Sequence, residues 1–167
     1  MDREEFESTV NRRLDMVVRL AFTYLKSFAE AEDAAQEIFF RLFRENMSFD
    51  SPEAEKAWLI RVTVNYCINR RRTAWFSRRC DTDPESLEIT EGECFTEREQ
   101  TVLGAVMSLP LKYRTAIHLF YYEDYSVKEI AAVTGTKESM VRTRLQRGRE
   151  RLRAILGKEY ENESTAL

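Results

Sequence analysis

Residues 126–153 read SVKEIAAVTGTKESMVRTRLQRGRERLR, and where this stretch breaks decides the kind of fold. Ser126 with Glu129 three residues on has the form of a capping box, in which each side chain closes a backbone N–H of the other at a helix start. VKEIAAV is then a short helix containing the small Ala131 and Ala132. Thr134-Gly135-Thr136 forms a tight turn, because Gly135 takes positive φ without strain. From Lys137 a last helix runs to about Leu156, with Met140, Val141, Leu145, Leu152 and Ile155 as anchors. A short helix, a glycine turn and a basic second helix make the helix-turn-helix pattern. With Val141, Leu145 and Leu152 turned inward, Arg142, Thr143, Gln146, Arg147 and Arg149 share a broad exposed arc. Arginine suits guanine edges or phosphates, glutamine suits adenine, and threonine can bond a base or touch a thymine methyl. A merely solvated basic face is the competing reading; the turn directly upstream favours DNA contact, since this motif delivers its second helix to the major groove.

Upstream, LKYRTAIHLFYYE reads as another helix, with Tyr113, Ile117, Phe120 and Tyr121 on its buried side, after a break at Leu109-Pro110. Thr96 with Glu99 repeats the capping-box form and opens a helical run through Met107. Residues 81–97, DTDPESLEITEGECFTE, hold seven acids and no base. Little apolar surface is available there to offset the cost of ordering, so the segment reads as an acidic, flexible linker.

The N-terminal part shows helical spacing throughout. Phe6, Val10, Leu14, Val17, Ala21, Leu25 and Phe28 step by three and four along a helix from about Glu4 to Lys26. Ser27 with Glu30 opens a second helix, EAEDAAQEIFFRLF at 30–43, ending near Met47. Its inward stripe is Ala31, Ala34, Ala35, Ile38, Phe39, Leu42 and Phe43. Phe40 lies on the other side, one turn beyond Gln36 and Glu37, where either a wide apolar stripe or a contact surface explains it. Ser51-Pro52 fits an N-cap and first helical position for a third helix through Arg72. There Leu59, Val62 and Tyr66 face inward. Arg61, Asn65, Asn69 and Arg72 step along another face, with Arg70 and Arg71 crowding the end. An amide among arginines can read an exposed base edge while the guanidiniums hold the backbone, although asparagines on a helix also commonly cap or solvate. Trp58, among apolar neighbours, is better placed as core than as a stacking platform.

The fold class is therefore all-α: two small helical domains joined by the acidic linker, the second a helix-turn-helix. The boundaries are 1–72, a linker at 73–97, 98–160, and a disordered tail at 161–167. Net charge is only −3, but residues 137–153 carry seven Lys or Arg against two Glu, and phosphate binding responds to local patches. Cys67, Cys80 and Cys94 are too far apart for a zinc knuckle or redox pair, so no metal site is expected. His118 is the single histidine and finds no neighbouring nucleophile, and no glycine-rich phosphate loop occurs, so the chain is not read as an enzyme and no cofactor is implied. No apolar run reaches the roughly 20 residues of a membrane span, and the acidic MDREEFES is unlike a signal peptide, which places the chain in the cytoplasm without membrane insertion.

Two blocks carry a resemblance. AEDAAQEIFFRLFR at 31–44, WLIRVTVN at 58–65 and the three arginines at 70–72 resemble the N-terminal domain of bacterial sigma factors. LPLKYRTAIHLFYYEDYSVKEIAAVTGTKESMVRTRLQRGRERLR at 109–153 resembles their C-terminal domain. Two domains with no middle domain are similar to the short extracytoplasmic-function (ECF) group. The resemblance implies a protein that directs core RNA polymerase to promoters and helps separate the strands. It implies docking of Asp33, Gln36, Glu37 and Phe40 on the β′ clamp helices, with Phe40 as an aromatic anchor, and the β flap as a further partner surface on core polymerase. Asn65 would capture a base flipped from the −10 element, beside Arg61, Asn69, Arg70, Arg71 and Arg72. Arg142, Thr143, Gln146, Arg147 and Arg149 would read the −35 element as duplex. Met140 departs from the small hydroxyl residue common at its place and Gly148 from the usual alanine, which leaves the base contacts open. An anti-sigma factor is implied as a further partner. The alternative is a helix-turn-helix regulator that acts without forming holoenzyme.

Overall fold

The computed structural model describes residues 1–77 and 97–165, with side chains described over 1–75 and 102–157. Among the described residues all seven elements are helices, and the chain divides into two compact units. Of the linker expected at 73–97, residues 73–77 belong to a helix and Glu97 opens the next one, while 78–96, with Thr96, Cys80 and Cys94, lie outside the described residues.

The first unit holds α1 (Arg3–Leu25), α2 (Phe28–Arg44) and α3 (Pro52–Ser77). Asp2 and Glu5 close a capping box at the start of α1, and Lys26 ends the helix in the left-handed region at φ 57°. Only Lys26 and Ser27 separate α1 from α2, and the Ser27 hydroxyl accepts from the Glu30 N–H. Ser51 caps α3 through a 3.1 Å bond from the Ala54 N–H. Val17, Leu20, Ala21, Ala31, Ala34, Ile38, Leu42, Leu59, Ile60, Val64 and Cys67 form the core. The small alanines of α2 let the helices approach while Ile38 and Leu42 fill the space between them. Trp58 is buried, its ring 5.8 Å from that of Phe49.

Four expectations shift here. Leu14 is exposed, because the α1 seam centres on Val17, Leu20, Ala21 and Tyr24 and Leu14 stands about a quarter turn aside. Phe43, expected inward, is exposed in the last turn of α2, its ring tilted against that of Phe6 at 5.1 Å. The buried face of α3 is Leu59, Ile60, Thr63, Val64 and Cys67, while Val62 and Tyr66 are only half-buried. Thr63 passes in this face because its hydroxyl bonds back to the Leu59 carbonyl at 2.7 Å. The helix also continues five residues beyond Arg72.

The second unit holds α4 (Glu97–Ser108), α5 (Leu111–Tyr121), α6 (Val127–Thr134) and α7 (Glu138–Thr165). Arg114 is buried and donates to the Leu109 carbonyl at 3.1 Å, satisfying a group freed by the Leu109-Pro110 break. Ser126 and Glu129 form the reciprocal capping box, and Gly135 ends α6 at φ 66°. Ile130, Ala131, Val141 and Leu145 pack the helix-turn-helix, with Met107, Tyr113, Ile117 and Leu119 behind. Met140 and Tyr121, expected inward, are exposed. Tyr121 is the last residue of α5, and Met140 lies in the first turn of α7, off the Val141–Leu145 seam. The α7 helix runs on to Thr165 through KEYENEST, where a disordered tail was expected from 161; nothing after Gly157 breaks a helix and Lys and Glu sustain one.

Candidate functional site

On α2 the four residues of the outward strip are all exposed. Asp33, Gln36, Glu37 and Phe40 lie one side of the helix, with Ala34, Ala35, Ile38 and Leu42 buried on the other. Phe40 is 56% exposed, and the Arg44 guanidinium stands 5.7 Å from its ring centre. The strip thus offers carboxylates, an amide and an aromatic face within two turns. Polar groups around an exposed aromatic are the composition favoured at protein interfaces.

On α3 the structure separates the six expected residues. Arg61, Asn65, Asn69 and Arg72 form one exposed row. Arg70 and Arg71 are half-buried and reach toward the other two helices of the unit. Arg71 donates to the Tyr24 carbonyl at 2.9 Å, tying the end of α3 to the end of α1. Arg70 reaches the Tyr66 hydroxyl at 3.3 Å and the Glu30 carboxylate at 3.6 Å on α2. Burial works against the Arg70 charge, but Tyr66, Glu30 and Asp33 more than compensate and raise its pKa. The two arginines brace the helices that display the row. Trp75, which sequence reasoning passed over, is 58% exposed one turn beyond Arg72 on the flank of that row. Its signal was present in the AWF that follows the arginines, beyond the expected helix end.

On α7 the arc is Arg142, Thr143, Gln146 and Arg147, all exposed. Arg142 pairs with Glu138 at 3.1 Å, the Thr143 hydroxyl donates to the Ser139 carbonyl, and Gln146 reaches Glu150 at 3.4 Å. These are solvent-facing i, i+4 contacts, cheap to exchange for a ligand. Arg149 is placed differently. Its Nε donates to the Tyr121 hydroxyl at 2.6 Å and its guanidinium stands 5.3 Å from the Phe120 ring centre, so it fastens α7 to α5. Tyr113 of α5 lies below the arc: Arg147 at its hydroxyl, with Lys112 and Arg151 near, holds the phenol below its usual pKa although burial opposes this. Both of those cations sit 5.1 Å from its ring centre.

Gly148 does not belong to the arc. A Cβ there would meet Ile117 Cγ1 at 3.0 Å, so the glycine serves the close approach of α7 to α5 rather than a base contact. The buried polar groups are likewise structural. Glu55 binds Arg12 at 2.8 Å and Arg13 at 2.9 Å; burial would raise its pKa, but the two guanidiniums hold it below the ordinary value of 4.5. His118 faces Glu123 at 3.4 Å inside the second unit. Burial pushes the Cys67 thiol up to about 12, which keeps it protonated and unreactive. Among the described residues no group of three His, Cys, Asp or Glu could hold a metal ion, and no helix is long and apolar enough to cross a membrane.

Comparison with known proteins aligns with this division. Residues 9–77 match the family Sigma-70 region 2, and residues 99–152 match Sigma-70, region 4. The chain is 31% identical to the ECF RNA polymerase sigma factor SigW of Bacillus subtilis, over 93% of this chain and 90% of that protein. To the ECF RNA polymerase sigma-E factor of Escherichia coli it is 30% identical, over 89% and 85%. In fold it is similar to the sigma factor RpoE of Bartonella quintana, solved in complex with the anti-sigma factor NepR. The TM-score is 0.72 at 20% identity, covering 92% of this chain and 98% of that one.

Proposed function

The chain belongs to the ECF group of bacterial RNA polymerase sigma factors, and we propose how its surfaces divide that work. As a sigma factor it directs RNA polymerase to promoters. The strip Asp33–Gln36–Glu37–Phe40 docks on the β′ clamp helices of core polymerase, Phe40 filling an apolar site and the polar groups setting orientation. The observation that carries this reading is the split of α2 into a fully buried alanine-rich face and an exposed acidic face that nonetheless ends in phenylalanine.

The α3 row handles the −10 element. Asn65, flanked by Arg61, Asn69 and Arg72, accepts an extruded base, whose unstacking costs a few kcal/mol that a shaped polar site can offset. Arg70 and Arg71 hold the row in place from behind, with part of the Arg70 charge still felt at the surface. The α7 arc of Arg142, Thr143, Gln146 and Arg147 reads the −35 element as duplex, while Arg149 fixes the tilt of the helix. The second unit also meets the β flap. The acidic linker joins the functional domains 1–72 and 98–160, its first residues 73–77 being taken into α3 and Glu97 into α4, and nucleotidyl transfer stays with the polymerase. Work on promoter DNA supports a cytoplasmic location, and an anti-sigma factor of the kind bound by the Bartonella protein is a fitting partner.

A regulator acting without holoenzyme would leave the match over 9–77 without a purpose. Reconstituted transcription separates the two. Core polymerase plus this chain on a randomised promoter library should initiate at a defined sequence class, and core polymerase alone should not. Equal initiation in both reactions would overturn the assignment of these surfaces.

A further inference from the structure

Among the described residues, the second helix of the helix-turn-helix carries one large apolar side chain on its otherwise polar face. Met140 is 47% exposed and stands in the first turn of α7, which begins at Glu138. The seam of that helix passes through Val141, Leu145 and Gly148, all buried. Met140 precedes Val141 by one residue and is therefore turned about 100° away from the seam. On its own side it is followed by Thr143 and Arg147, both exposed, at three and seven residues. Polar members of the arc satisfy themselves with water or with neighbours such as Glu138 and the Ser139 carbonyl. A thioether gains nothing from water and stabilises only by covering another apolar group.

In the major groove, the apolar feature that distinguishes one base from the others is the C5-methyl of thymine. The N-terminal residues of the second helix are those that reach base edges in this motif. We propose that Met140 is a specificity residue that packs its thioether against a thymine methyl in the duplex read by α7, next to the base contacted by Arg147. The proposal rests on the reading of α7 as the DNA-facing helix. It adds a position at which thymine is selected by shape and dispersion, without a hydrogen bond.

The test uses holoenzyme formed from the full chain and core polymerase, on the upstream duplex it selects from a random pool. Each thymine of that duplex is replaced in turn by uracil, which removes the methyl and leaves the hydrogen-bonding edge unchanged. One replacement should weaken binding about fourfold, the equivalent of one buried methyl. Met140→Leu should keep that penalty and Met140→Ala should erase it. Alanine is well tolerated at an exposed helical site, so folding is not at stake. The proposal is overturned if no uracil position matters, or if the penalty persists undiminished in Met140→Ala. Arg147→Ala in the same selection distinguishes the two levels. If it leaves every base preference intact, the reading of α7 fails and Met140 with it. If it alters a preference while the methyl effect ignores Met140, only the role of Met140 falls.

Discussion

Phe39 and Phe40 are adjacent in sequence and turned about 100° apart on α2, one into the core and one to the surface, which makes them a matched pair for testing the docking face. Phe39 is 5% exposed and Phe40 56% exposed. An aromatic side chain offers roughly 200 Å² for burial, so Phe40 retains about 110 Å² that a partner can cover. At about 25 cal/mol per Å² this corresponds to ~2.8 kcal/mol. Alanine keeps part of that contact, so Phe40→Ala should weaken core polymerase binding by about 2 kcal/mol, roughly 30-fold in Kd. Its effect on folding should stay within about 0.5 kcal/mol, as for other exposed sites. Phe39→Ala should do the reverse, lowering stability by about 3–5 kcal/mol through loss of a core ring. Fluorescence anisotropy of labelled chain titrated with core polymerase gives the first quantity, and urea unfolding followed by circular dichroism gives the second. If Phe40→Ala binds polymerase like the parent protein, the α2 strip is not the docking face. If it unfolds as readily as Phe39→Ala, the ring belongs to the core.

Three further outcomes follow from named contacts. Asn65→Ala should reduce strand opening, seen as permanganate reactivity of unpaired thymines, far more than it reduces duplex binding; equal loss in both assays would remove Asn65 from base capture. Arg147→Ala should cost about 1–3 kcal/mol of discrimination at one base pair, whereas a uniform loss across all sequences would make it a phosphate contact. The stability of the first unit should depend on acid through Glu55. Its folded pKa lies below 4.5, so the stabilisation is complete above that value and is lost as the pH falls through the folded pKa. Urea midpoints measured from pH 6 down to pH 3 should show this decline, and Glu55→Gln should flatten that part of the curve while lowering stability near neutrality; an unchanged slope in the variant would assign the acid sensitivity elsewhere.

The helices themselves were legible because their signals are local. Capping at Ser27, Ser51 and Ser126, the break at Leu109-Pro110 and the left-handed Gly135 each depend on a few neighbouring residues, and each appears where the spacing put it. Which apolar residue meets the core was less legible, because that depends on where the partner helix ends. Phe43 fits the inward period of α2 as well as Leu42 does, yet the helix ends at Arg44 and the ring stays half exposed against Phe6. Val62 and Tyr66 fit an inward stripe of α3, but the seam settled on Thr63 and Cys67, two residues whose polarity disguises them. A threonine that bonds its own helix and a protonated thiol pack as small apolar groups, and hydrophobic periodicity does not register them.

The site was legible at the level of patches and illegible at the level of individual arginines. Arg70, Arg71 and Arg72 are chemically identical in sequence, and any of them could grip a phosphate. In the fold, Arg71 is spent on the Tyr24 carbonyl and Arg70 on Tyr66 and Glu30, which leaves Arg72 at the surface. Arg149 is similarly drawn from the α7 arc by Tyr121, a ring 28 residues away in sequence. A guanidinium has five donors and a long apolar stem, so its partner is chosen by whichever acceptor or aromatic face tertiary packing brings near. These inward arginines still bear on recognition, because a base-reading side chain discriminates only when its helix is held at fixed tilt and register. On α3 the brace runs to both other helices of its unit, and on α7 it runs to the end of α5, so the arginines engaged by neighbouring helices set the geometry of those that face outward.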